Sequence, residues 1–244
     1  MTRIGLIIPS SNRMVEQEMV RHVPPGVVAH VARLRMTGAY RVGTDELLPR
    51  VVDAAATLVD ARCDVVAFHC TANSMAEGLG GEDKLMAALR QAGAPRATTT
   101  ASAIRAALNA LSARRIVLIT PYTQETTDHE AEFLHSAGYE VLAARGFALK
   151  GSDEYCGTPP SFWRDRTIEA ARPDADCYLI SCANISTFPV IEDIEQKLGR
   201  PVVTSNQAVI FDALRLLGIA DRRDCPGRVF EMLSNRATAR RVHA

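Results

Sequence analysis

Little in this chain of 244 residues points outward to a charged or lipid partner. Basic and acidic side chains stand at 28 each, so no net field draws it to nucleic acid, an anionic membrane or an acidic protein. No apolar run reaches the length of about 18 residues that a membrane helix needs. The opening MTRIGLIIPSSN lacks the long apolar segment and cleavage site of a secretory signal, with Pro9 arriving too early. The one locally basic run, ATARRVHA at the end, reads as a solvated tail. Aromatic residues make up only 5%, with a single tryptophan, Trp163, which belongs by default to the core and, with Phe162, alternatively to a lid or interface.

Metal and phosphate signatures are missing too. The six cysteines, at 63, 70, 156, 177, 182 and 225, show no CxxC spacing. His69 and Cys70 are neighbours, and on a strand they would face opposite ways, so no zinc site is expected. A chain this long buries a core without disulfides, which predicts free thiols in a reducing cytoplasm. Gly78, Gly80 and Gly81 in EGLGGED form no phosphate loop, because no strand leads in and no Lys-Ser/Thr follows. They read as a loop over a site.

What is present is a duplication. RIGLIIPSSNRMVEQE begins at Arg3 and RIVLITPYTQETTDHE at Arg115; Cys70 lies 67 positions beyond the first start and Cys182 lies 67 beyond the second. One offset of 112 therefore aligns both first strands and both cysteine strands. APRATTTASAIRAAL (94–108) resembles RPVVTSNQAVIFDAL (200–214) after a loss of six residues. Two copies of one α/β unit explain this better than a solenoid.

Short continuous apolar runs at 4–8, 64–69, 116–120 and 177–181 suit strands covered on both faces. Helical patterns over 46–61, 82–93 and 102–113 separate them, which predicts βαβ units and parallel sheets. The expected fold class is α/β, with two pseudo-twofold lobes facing each other across a cleft. Junctions are expected near residues 95 and 205, giving a first lobe of 1–96 plus 206–244 and a second of 97–205. Ligands of such sheets bind beyond the carboxyl ends of the strands, where Asn12, Cys70, Tyr122 and Cys182 fall.

Each repeated cysteine ends an apolar strand and precedes small polar residues: Thr71, Asn73 and Ser74 after Cys70, and Ala183, Asn184 and Ser186 after Cys182. Such turns offer backbone N–H groups that lower a thiol pKa or hold a carboxylate. Cys70 is thus a candidate nucleophile or base and Cys182 a candidate acid, with Thr71, Asn73, Ala183 and Asn184 as substrate-binding positions. A lone buried cysteine is ordinarily packing, and Cys63, Cys177 and Cys225 are read so; the matched placement sets the other two apart. Cys156 is a loop residue without a role. Asn73 and Asn184 read equally as caps and as donors. Thr98, Thr99 and Thr100, paired with Thr204, Ser205 and Asn206, read chiefly as helix caps. His69 reads as a satisfied core or interface histidine, and Asp128, His129 and His135 as a solvated helix face.

Together IGLIIPSSN, DARCDVVAFHC, ITPY, SCANIS and PVVTSNQAV resemble, in order and spacing, the aspartate/glutamate racemase superfamily. The nearest likeness is to its maleate cis–trans isomerase and arylmalonate decarboxylase branch. The resemblance covers nearly the whole chain. It implies two Rossmann-like lobes, catalysis with no metal or organic cofactor, a small carboxylate or dicarboxylate substrate, and a homo-oligomer. Both thiols serve in the family's racemases and isomerases, whereas its decarboxylases keep only the second. By the same resemblance Cys70 adds to an alkene carbon, Cys182 protonates its neighbour, and Asn12 and Tyr122 bind carboxylate. Asp153 falls near a carboxylate-binding asparagine of the isomerases, where an ionised aspartate would repel a dianion; it would instead meet an ammonium or hydroxyl group. The turn TANS also departs from the glycine-containing turns of the family. The expected function is maleate-type isomerisation through a cysteine adduct; a racemase or decarboxylase working through a carbanion, and a non-catalytic acid-binding protein, are the alternatives.

Overall fold

The structure, a computed structural model, describes residues 1–36, 42–222 and 225–233; the basic terminal run lies outside them. The first repeat forms β1 (Thr2–Pro9), α1 (Val15–His22), β2 (Val27–Leu34), α2 (Thr44–Asp60), β3 (Val65–Phe68), α3 (Thr71–Met75), α4 (Gly78–Gln91), β4 (Ala97–Thr99) and α5 (Thr100–Ala110). The second forms β5 (Arg115–Thr120), α6 (Gln124–Ser136), β6 (Glu140–Gly146), α7 (Gly151–Gly157), α8 (Pro160–Glu169), β7 (Cys177–Ile180), α9 (Ile191–Leu198), β8 (Val202–Thr204) and α10 (Ser205–Leu217). Each repeat builds a four-stranded sheet, in the orders β2-β1-β3-β4 and β6-β5-β7-β8. All pairings are parallel. Among the described residues no helix is long and apolar enough to cross a membrane.

The duplication is kept at the level of register. Ile4 pairs with Val65 in the first sheet and Ile116 with Cys177 in the second, the same pairing displaced by the sequence offset. Cys177 therefore occupies the place of a core valine, which is why it is fully buried among apolar neighbours. The inner strands are buried along nearly their whole length, and this covering by helices explains their continuous apolar runs. Strands β2 and β6 form sheet edges and are mostly half-buried, so their sequences carry no such run.

Helices α5 and α10 pack against each other, and α10 also touches β3 and β4 of the first sheet as well as its own β8. Their starts are capped alike: Thr99 accepts from the Ser102 amide, and Thr204 closes a capping box with Gln207. The caps thus match Thr99 with Thr204, one position away from the sequence correspondence. β4, which the division at 96/97 gives to the second lobe, is bonded to β3, because the chain leaves the first sheet only as helix α5. As a proposal, the lobe junctions fall at the starts of α5 and α10. A second correction concerns Gly78, Gly80 and Gly81, which open helix α4 instead of forming a loop. Trp163 is fully buried, as its default assignment has it.

One close approach ties the second sheet to the site. A Cβ at Gly146, the last residue of β6, would lie 2.5 Å from Thr127 Oγ1 and 2.6 Å from the Tyr122 carbonyl oxygen. Backbone cannot rotate away, so Gly146→Ala must displace the turn that carries Tyr122. The expected loss is about 1–3 kcal/mol of stability, read as a lower urea midpoint; an unchanged midpoint would refute the tight fit.

Candidate active site

Four inner strands bring their carboxyl ends to one cleft between the lobes. β1 delivers Pro9, Ser11 and Asn12; β3 delivers His69 and Cys70; β5 delivers Tyr122; β7 delivers Cys182, Ala183 and Asn184. With Met36, Thr71, Ala72, Asn73, Thr123, Thr126, Leu149, Ser152 and Tyr155 they line a cavity of about 780 Å³ including its open mouth. Eight of the nine candidate residues are thereby brought together: Cys70, Cys182, Asn12, Tyr122, Thr71, Asn73, Ala183 and Asn184. No lysine or arginine is among the described residues lining the cavity.

The thiols are 9% and 5% exposed, Cys70 and Cys182 respectively. Burial pushes Cys70 up to about 11, partly offset by the Asn73 backbone N–H. Burial also pushes Cys182 up to about 12, against hydrogen bonds from Tyr122 and the Asn184 backbone. The Asn184 amide nitrogen lies 3.3 Å from Cys182 Sγ. Each sulfur feels the Glu130 carboxylate, and charge on Cys70 also raises Cys182. The N–H groups expected behind the thiols are present, but the expected acidic thiols are not: desolvation outweighs a few neutral donors where no described lining residue is a cation. Both thiols are protonated at neutral pH. The Tyr122 phenol is likewise raised by burial and by its thiol neighbour, and it stays a neutral donor.

The asparagines are more engaged than free ligands would be. Asn12 Oδ1 accepts from the Met14 and Val15 amides, each at 3.0 Å, and Nδ2 donates to the Ala183 carbonyl at 3.0 Å. Asn184 Oδ1 accepts from the Arg13 amide at 2.9 Å and from the Cys156 thiol at 3.2 Å. Asn73 donates to the Val42 carbonyl at 2.9 Å, and its Oδ1 lies 3.5 Å from Cys70 Sγ. These contacts bridge lobes or orient sulfur, so capping and donation are combined in the same side chains.

Asp153 is the exception. Its side chain is 95% exposed and pairs with Arg13 at 2.7 Å, away from the cavity. Helical geometry is the reason: Ser152 and Tyr155, three apart on α7, share the face that lines the cleft, and residue 153 points about 100° away. The dianion repulsion expected from Asp153 therefore does not arise inside the cavity.

His69 is satisfied, with Nδ1 at 3.0 Å from Thr100 Oγ1 and Nε2 at 2.9 Å from Asn206 Oδ1, and burial lowers it to about 4. It nonetheless lines the cavity beside Cys70. Strand β3 ends at Phe68, so the alternation that would send His69 and Cys70 to opposite faces has already stopped. The sequence reading missed Tyr155, whose ring meets Tyr122 edge-on at 5.9 Å. It also missed Glu130, buried on α6 and accepting from Ser181 Oγ at 2.6 Å. Glu130 lies three and four residues before the buried Phe133 and Leu134, a helical spacing that the polar look of TTDHEAEFLHSAG concealed.

A two-lobed α/β protein with one cysteine from each lobe at a shared cavity is the class these features define. The arylmalonate decarboxylase family model matches residues 4–230, and the chain belongs to that family. It is 30% identical over 231 residues to arylmalonate decarboxylase of Bordetella bronchiseptica, covering 93% of this chain and 96% of that protein. It is 27% identical to a maleate isomerase of Geobacillus stearothermophilus, covering 89% and 92%. Among solved structures, a liganded double mutant of arylmalonate decarboxylase superposes with TM-score 0.87 at 29% identity, covering 94% of this chain and 99% of that one. A Nocardia farcinica maleate cis–trans isomerase mutant with a covalently bound succinylcysteine intermediate superposes with TM-score 0.85 at 24% identity, covering 94% and 98%.

Alkylation should report the thiol environment. Iodoacetamide labelling of Cys70 is expected to accelerate about tenfold per pH unit from pH 7 to 10, as its thiolate fraction grows. The packed Cys63 and Cys177 should stay unlabelled in peptide maps of the native protein. A rate independent of pH would mean that Cys70 is already ionised.

Proposed function

We propose that this protein is a cofactor-independent two-cysteine isomerase of a small carboxylic acid, of the maleate cis–trans type. The observation that carries the reading is the meeting of Cys70 and Cys182, one from each lobe, at a cavity walled by neutral donors. The maleate isomerases among its relatives support it.

In this scheme Cys70 is the nucleophile and Cys182 the acid, burial holding both thiols well above the usual range. The Cys70 thiolate sulfur bonds to one alkene carbon, and the displaced electron pair takes the Cys182 proton at the other. The product is a saturated thioether with free rotation about the former double bond. The Cys182 thiolate then removes a proton from the same carbon, the C–S bond breaks, the trans double bond forms, and the Cys70 thiolate is restored. Covalent addition is required because an intact double bond blocks rotation. Ionising a thiol of pKa about 11 at pH 7 costs roughly 5 kcal/mol, well within what an enzyme offsets. The second reading, a racemase or decarboxylase with the thiols as proton carriers, is favoured by one feature: Pro9, Met36 and Leu149 add an apolar wall that a substituted malonate would use.

The test is Cys182→Ser with maleate. Turnover should fall about 10²–10⁴-fold, and an adduct of one maleic acid mass should accumulate on Cys70. Deuterium exchange into an acidic amino acid, or carbon dioxide release from an arylmalonate, without any adduct would move the protein to the second reading. For the wild type, kcat/KM should climb tenfold per pH unit between pH 6.5 and 9, since the reactive form is the minor thiolate; a flat profile is incompatible with the scheme. Asp153→Asn removes only an exposed ion pair and should change kcat/KM by less than about fivefold.

A further inference from the structure

We infer that the first turn of α10 sets the spacing of the two thiols, with Asn206 as the positioning residue that joins the neighbour of one cysteine to the neighbour of the other. The inference deepens the proposed two-thiol chemistry and rests on it for its catalytic meaning.

Asn206 is buried, and Oδ1 accepts from His69 Nε2 at 2.9 Å. Its Nδ2 donates to the Ala183 carbonyl at 3.3 Å and to the Glu18 carboxylate. His69 immediately precedes Cys70, and Ala183 immediately follows Cys182. Beside it, Ser205 Oγ accepts from Thr71 Oγ1 at 3.0 Å, and Thr71 immediately follows Cys70. One helical turn thus grips both flanks of Cys70 and the residue behind Cys182.

The bond pattern fixes the amide's orientation. The Ala183 carbonyl can only accept, so the NH2 group must face it, and the amide oxygen must face His69. His69 then carries its proton on Nε2, and Nδ1 accepts from Thr100 Oγ1 at 3.0 Å. Both protons of Asn206 and both ring nitrogens of His69 are thereby committed. Neither residue has an N–H left to donate to a substrate, although His69 forms cavity wall. What remains is geometry. The cap-matched position in α5 is Ala101, which carries no amide, so the bridge exists on one side of the pseudo-symmetric pair only.

Removing the bridge should leave binding donors in place and loosen the thiols relative to each other. Asn206→Ala is expected to lower kcat about 10–100-fold, the scale of an ångström-level misplacement, with KM changed less than about threefold. His69→Gln keeps an N–H near the Nε2 position and should retain at least about a third of wild-type kcat, whereas His69→Leu should match Asn206→Ala. An acid–base role for His69 would fail in both. A substrate-independent arm counts iodoacetamide labels on the pair. In the wild type, modification of one thiol should crowd the other across the cleft and block it, giving one label; Asn206→Ala and His69→Leu should accept two. Should Asn206→Ala fail to give a native circular dichroism spectrum, the two His69 variants carry the test. If maleate is not turned over at all, the proposed function falls, and the label count still decides the spacing claim. Two labels on the wild type, or wild-type kcat and one label in Asn206→Ala, would overturn it.

Discussion

A sulfur atom almost wholly removed from water keeps its proton unless something positive compensates the thiolate, and among the described residues lining this cleft nothing positive does. The described lining has no lysine or arginine, and the donors that reach sulfur are a phenol and backbone amides. Each neutral donor recovers part of the lost hydration, and together they recover less than burial removes. Two further features follow from this. Charge on one thiol raises the other, so the pair holds a single negative charge far more readily than two. One sulfur can then be nucleophile while the other remains an acid, a division set by environment and not by residue type. A bound carboxylate must also be held by N–H and O–H dipoles, the same currency that serves the sulfurs.

Such a site requires two lobes held in fixed relation, and the polar seam between them supplies that. The Ala183 carbonyl takes amide protons from Asn12 and Asn206, and Asn184 Oδ1 takes the Arg13 amide. The bonds of Asn12 and Arg13 cross from one repeat to the other. Individually each contributes about 1 kcal/mol. Their greater effect is directional, since an apolar seam would tolerate sliding that buried, fully paired amides do not.

Much of this was legible because of how strands are covered. β1, β3, β5 and β7 stood out as apolar runs since helices bury both their faces, and equal spacing to each cysteine exposed the duplication. The edge strands β2 and β6 were invisible for the converse reason: half-buried, they mix polar with apolar residues. Within the site, residues at strand ends and in the turns just after them were found, and those on the later helices α6 and α7 were not. Cys70, Tyr122 and Cys182 follow from topology alone, whereas the helix α7 turns Tyr155 inward and Asp153 outward, a rotation that a linear alignment does not carry. Glu130 was lost among polar neighbours on an otherwise solvated helix. The thiol acidity was misjudged because local donors can be read from a turn, but the depth of burial cannot.

The two halves also diverge where the chemistry would need them to. After Cys70 the chain enters the short helix α3, and the thiol meets the Asn73 amide and side chain. After Cys182 it makes a turn, and the sulfur meets the Asn184 amide and Tyr122. A perfectly symmetric cleft would give both sulfurs one pKa and leave the placement of the single charge to chance. Different second partners break that degeneracy, the Asn73 side chain at Cys70 and the Tyr122 phenol at Cys182. The duplicated fold thus provides two equivalent edges, and the few residues that are not equivalent assign each sulfur its part.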